Sequence, residues 1–143
     1  MKPIHRLAIA LFPLITLAAG TQPATSPATA PAPAIKELTS LTPTEAALKA
    51  SSATKPLVLK SERDATDYFS KEDLAKLTKQ VDFTTQIVLV FAWQGSGQDK
   101  LDYSVAESYP EQIRFTYTPG RTRDLRPHTG IYAVRANVTW SAK

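Results

Sequence analysis

Ile87-Val88-Leu89-Val90-Phe91-Ala92-Trp93 decides the fold. Seven apolar residues in a row, rich in β-branched and aromatic side chains, leave no polar face for solvent. The segment reads as a strand covered on both sides, and therefore as the centre of a sheet. Downstream, the pattern changes to strict alternation. Leu101, Tyr103 and Val105 alternate with Asp102, Ser104 and Ala106, and Ile113, Phe115 and Tyr117 alternate with Arg114, Thr116 and Thr118. Tyr109-Pro110-Glu111-Gln112 is a turn-length gap, so these two half-buried strands form an antiparallel hairpin. Tyr132, Val134, Ala136, Val138 and Trp140 share one parity of a last strand. Short connections predict that 87–93 pairs with 101–107, which in turn pairs with 112–118.

Upstream, the signals are helical. Thr42-Pro43-Thr44-Glu45 has the spacing of a capping box, with Thr42 as N-cap, for a helix from Glu45 to about Ala50. Ser61 with Asp64 opens a second helix expected to reach Phe69. Ser70 with Asp73 opens a third over Lys71 to Lys79, with Leu74 and Leu77 on its inner side. Leu57-Val58-Leu59-Lys60 is a short strand. The order predicts an α+β fold: an antiparallel sheet of four to five strands with two or three short helices packed on one face.

The N-terminal third differs in composition. Residues 1–34 carry six of the eleven prolines and none of the thirteen acidic residues. Lys2 and Arg6 precede an apolar run from Leu7 to Ala19, too short to span a bilayer, with small Ala18 and Gly20 before Thr21. Residues 1–20 thus read as a signal peptide cleaved after Gly20, with retention as an anchor the alternative. Residues 21–41 read as a Pro/Ala/Thr-rich linker, and 42–143 as one domain. The expected location is export, to the periplasm, the cell surface or the medium. With Lys2 and Arg6 removed, 15 basic side chains face 13 acidic ones, so the domain has no global field for nucleic acid or anionic lipid. There is no cysteine, which excludes disulfides, thiolate chemistry and cysteine-held metal.

Val81-Asp82-Phe83, a polar pair, and then Ile87-Val88-Leu89-Val90-Phe91 running into a glycine loop resemble the C-terminal domain of the protease-complex subunit PrcB family over roughly residues 57–97. The resemblance implies a small exported α+β domain that associates with a secreted protease. Where that family typically has Thr-Gly-Gly-Tyr, this chain has Gln94-Gly95-Ser96-Gly97-Gln98, so no functional residue carries over.

The candidate binding residues lie in two stretches, 94–102 and 120–128. They are Trp93, bordering the first, Gln94, Gly95, Ser96, Gly97 and Asp99 within it, and Arg121, Arg123, Asp124, Arg126 and His128 in the second. Glycines let a backbone approach a ligand, and three arginines within six residues offer planar forks to carboxylate or phosphate. The same residues also read as scaffolding, with Asp99, Asp102 and Asp124 neutralising the arginines. An aromatic-basic surface of Trp93, Tyr103, Tyr117 and Arg123 is a further option.

No catalytic residue is assigned. Gly95-Ser96-Gly97 lacks the spacing of a nucleophile elbow. Ser96 and His128 with Asp99, Asp102 or Asp124 make a triad only nominally. His128, the one histidine after the leader, is insufficient for a metal site, and no cofactor is implied. It reads as a loop imidazole bonded to an aspartate or a backbone carbonyl. Asn137-Val138-Thr139 matches a glycosylation sequon.

The reading is an exported, non-enzymatic accessory or protein-interaction domain that holds a partner through both stretches. The alternative is a small-ligand (anion or sugar) binding domain, or a weak hydrolase, using the arginine-rich stretch. No nucleic acid and no stable membrane insertion after signal cleavage are expected, and the pattern does not set the oligomeric state.

Overall fold

A computed structural model describes residues 33–143. Residues 1–20, expected to be a signal peptide, and all but the last residues of the proline-rich segment lie outside the described residues. Among the described residues, no helix is long and apolar enough to cross a membrane.

The fold is α+β, as the residue pattern predicts, but its strands divide into two sheets. The element order is β1 (Ile35–Glu37), α1 (Glu45–Ala50), β2 (Leu57–Leu59), α2 (Glu62–Ala65), α3 (Lys71–Gln80), β3 (Gln86–Ser96), β4 (Lys100–Ala106), β5 (Gln112–Thr118), β6 (Leu125–Arg135) and β7 (Thr139–Ala142). The first sheet runs β1-β6-β3-β2 and is antiparallel throughout. The second runs β4-β5-β7, with β7 parallel to β5.

β3 is an interior strand, and its residues alternate between two cores. Val88, Val90 and Ala92 pack with Leu59, Phe69, Leu77 and the other helix-side residues. Leu89 and Phe91 pack with Ile113, Phe115, Tyr132 and Val134 against the second sheet. An apolar run without a polar face is what a strand between two such layers requires. Ser51 closes a gap beyond the short β2, donating to the Ala47 carbonyl (2.7 Å) and accepting from the Ala92 amide (3.0 Å).

Several expectations give way to the tertiary structure. β3 pairs with β6 over its full length, from Gln86↔Arg135 to Ser96↔Leu125, and not with 101–107. The hairpin of β4 and β5 forms as expected, with Tyr103 opposite Phe115. Its apolar side then lies over the Leu89, Phe91, Tyr132 and Val134 face, which pairing in a single sheet would leave exposed. The last strand is two: β6 begins at Leu125 and ends at Arg135, and β7 follows a turn. Ile131 to Val134 are all buried because β6, like β3, is covered on both faces.

The linker boundary moves too. Ile35–Glu37 is the edge strand β1, and Ala34, Ile35, Leu38 and Leu41 are buried, so residues 35–41 belong to the domain. α1 is capped by Thr44, not Thr42, and without a side-chain cap bond. Pro43 instead forms a β-bridge with Phe69, and the Thr44 amide donates to the Tyr68 carbonyl. That bridge pulls Phe69 into the core and ends α2 at Ala65, short of the expected length. The Ser61 and Ser70 caps form as the spacing predicts, accepting from the amides of Asp64 and Asp73 at 3.2 Å each.

Candidate functional site

Topology brings the two stretches to one rim of the fold. Gln94 to Ser96 finish β3, a tight turn follows with the Asp99 amide donating to the Ser96 carbonyl (2.9 Å), and β4 starts at Lys100. β5 ends at Thr118, and residues 119–124 cross back to β6. Leu125 to His128, expected in a loop, are strand residues paired with Trp93 to Ser96.

Asp99 is the keystone of this rim. Its Oδ2 accepts from the Trp93 indole Nε1 (3.0 Å) and the Tyr117 hydroxyl (2.9 Å), and its Oδ1 accepts from the Gly120 amide (2.7 Å). These bonds, led by that of Gly120, hold the carboxyl below the usual aspartate range against the opposing effect of burial. Tyr117 is pushed up in turn, by burial first and by Asp99 second. Gly95 lies beside this carboxylate, and a Cβ there would run into Asp99.

A second knot lies next to the first. Ser96 Oγ accepts from the amides of Gln98 (3.2 Å) and Thr122 (3.1 Å), and shares a hydrogen bond with Thr122 Oγ1 (2.6 Å). Asp124 accepts from the Gly97 amide (3.1 Å) and from Arg126 Nε (2.6 Å). The Thr122 side chain, the Gly97 amide and Arg126, in that order, bring the Asp124 carboxyl down to about 2. His128 stacks on Trp93 with ring centres 5.0 Å apart. Its Nε2 lies 2.8 Å from the Ser96 carbonyl, which can only accept, so this nitrogen carries the hydrogen. The expected backbone-carbonyl bond is present, though on a strand and not in a loop.

The envisaged network of aspartates and arginines is largely replaced. Asp99 is bonded to aromatic and backbone donors, and Asp102 sits exposed on β4 opposite Thr116. Only Asp124 holds an arginine, Arg126. Among the described residues, Arg121 and Arg123 make no ion pair and are exposed, as is Gln94. Arg121 lines an open cleft of about 480 Å³ with Gln98, Lys100, Thr118, Pro119 and Gly120. Tyr117 and Thr122 complete the rim although they are outside the candidate list. The parity of Tyr117 with Ile113 and Phe115 is the sequence signal that turns its ring inward.

The chemical consequences are restrictive. Ser96 Oγ faces Thr122 and two amides, not His128, so no base activates it. Two aspartates with lowered pKa and oxygens already engaged in internal hydrogen bonds are weak bases at neutral pH. Among the described residues, no three His, Cys, Asp or Glu side chains converge as metal ligands. No family model matches this chain, and no curated protein or solved structure matches it either.

Proposed function

We propose that this chain is an exported, non-enzymatic domain that holds a partner protein at the rim formed by residues 94–102 and 120–128. One observation carries the reading. The groups able to do chemistry there, Asp99, Asp124, Ser96 and His128, are committed to internal bonds, while Arg121, Arg123 and Leu125 face solvent. Leu125 is 75% exposed beside the arginines. An exposed apolar side chain a few residues along the chain from two unpaired guanidinium groups is the composition of a binding patch, in which arginine is favoured. The bonds of Asp99 and Asp124 hold the Gly97 and Gly120 backbone beside the patch, which favours a lower ordering cost of association. The alternative of a small anion held by all three arginines has less support, because Arg126 already serves Asp124. The resemblance to the PrcB family points the same way by analogy alone.

The test is site-specific photo-crosslinking from position 125 in the native exported mixture. A discrete crosslinked product is expected with the native rim, and its loss with Arg121→Glu/Arg123→Glu at unchanged melting temperature. No product from the native rim, or equal product from the charge-reversed one, overturns the reading.

A further inference from the structure

The two sheets present four outer strands, and these differ in length. β1 and β2 have three residues each and β7 has four, whereas β4 has seven. Very short edges offer little backbone for another chain to pair with. β4 hydrogen-bonds β5 on one side, and among the described residues no strand pairs with its other side. It carries no proline, and its register with β5 runs unbroken from Lys100↔Thr118 to Ala106↔Gln112. It has no bulge, no proline and no inward charge, and its charged side chains are Lys100 at its start and the outward Asp102.

Its inward side chains are only half covered. Tyr103 packs its ring near Phe115 and Tyr132 (centres 6.1 and 5.6 Å apart), yet it is 40% exposed, and Val105 is 39% exposed. An added strand would extend the sheet over this same inner layer and cover both.

Charge on the β4 strand itself runs from basic to acidic, with Arg114 set one strand back, opposite Ser104. Lys100 at its start lines the cleft with Arg121, while Asp102 follows on the strand and Glu107 lies just beyond its end. A chain running antiparallel to β4 brings its own C-terminal end to Lys100. An acidic residue there meets Lys100 and Arg121, and the same residue placed further back meets Asp102 and Glu107.

We propose that the open edge of β4 takes an extended segment of a partner protein by antiparallel strand addition, with the segment's acidic C-terminal end over Lys100 and Arg121. This rests on the partner-binding reading and names the form and charge of what is bound. Backbone hydrogen bonds to β4 supply the attachment, and the cleft supplies charge order and direction.

The probe is a synthetic peptide of about eight residues, within the usual range of strand lengths, alternating threonine and valine and ending in two glutamates. It is titrated into isotope-labelled protein and followed by amide chemical shifts, beside a counterpart ending in two lysines. The shifts should concentrate on residues 100–106. The glutamate peptide should bind about tenfold or more tightly than the lysine peptide, and Lys100→Glu/Arg121→Glu should reverse that preference. Blocking alternate peptide amides by N-methylation should abolish binding. The proposal is overturned by an absence of shifts at about 1 mM peptide, the weak limit of specific recognition. Shifts centred on β1, β2 or β7, or equal binding of the two peptides, also overturn it. A dimer in sedimentation whose contact maps to β4 overturns it as well, because a second copy is then the occupant. If the peptide fails while crosslinking from position 125 persists, strand addition alone is wrong; if both fail, the partner-binding reading falls with it.

Discussion

Phe91→Ala is the most direct probe of how the two layers are joined. Phe91 lies on the side of β3 that meets the second sheet, fully buried, with its ring centre 4.7 Å from Phe115 and 6.0 Å from Tyr132. Phe115 and Tyr132 themselves stand 5.1 Å apart, so the three rings form one cluster between β3, β5 and β6. Truncation removes the ring from a site walled by two sheets, which cannot collapse without moving a strand. The cost should fall at about 3–5 kcal/mol, the range for buried phenylalanine. Against a total of roughly 5–15 kcal/mol for a domain of this size, that is a large share, and the melting temperature should fall by about 12–20 °C. Phe91→Leu, which keeps most of the volume, should cost less than about 1.5 kcal/mol. Urea unfolding followed by circular dichroism gives both values. A double-mutant cycle with Phe115→Ala should show a coupling of about 0.5–3 kcal/mol, as expected for residues in contact. A loss below about 1 kcal/mol for Phe91→Ala, or strict additivity with Phe115→Ala, would refute the packing of the hairpin over β3.

Three further outcomes are expected. A Cβ on Gly120 would lie 2.6 Å from Gln98 Cβ and 2.7 Å from the Gln98 carbonyl carbon, so Gly120→Ala should destabilise by about 1–3 kcal/mol, measured by the same unfolding; an unchanged midpoint would mean that the close approach does not matter. Asp99 and Asp124 are lowered in the folded state, so the unfolded chain takes up protons first and their contribution, present above about pH 4, is lost as pH falls toward the Asp124 value of about 2. Because Asp73 and Asp82 are lowered as well, the diagnostic is a comparison: Asp124→Asn should flatten the fall in melting temperature between about pH 4 and pH 2, and an unchanged slope would contradict the assignment. The intact mass of the exported protein should begin at Thr21, whereas a full-length, membrane-extracted species would contradict cleavage after Gly20.

Features that depend on local pattern are legible in the residues alone. The run 87–93 announced a strand covered on both faces, and alternation at 101–105 and 113–117 announced the hairpin. Ser61 and Ser70 marked the second and third helix starts through their own side-chain bonds. Tertiary structure decided what depends on partners distant in the chain. Strand choice was one such case, since the apolar β3 can satisfy its edge with either neighbour. It takes β6, and the hairpin is then free to cover the aromatic face. β1 was another, because three residues after a proline-rich stretch have no periodicity and become a strand only against Tyr132 to Val134. The rim shows both contributions. Its residues were legible as two stretches of glycine, aspartate and arginine, but which donor each aspartate would take was not. Asp99 is held by Trp93, Tyr117 and Gly120, and not by an arginine, because a carboxylate enclosed where two sheets meet is satisfied by the nearest donors the folded backbone and rings present.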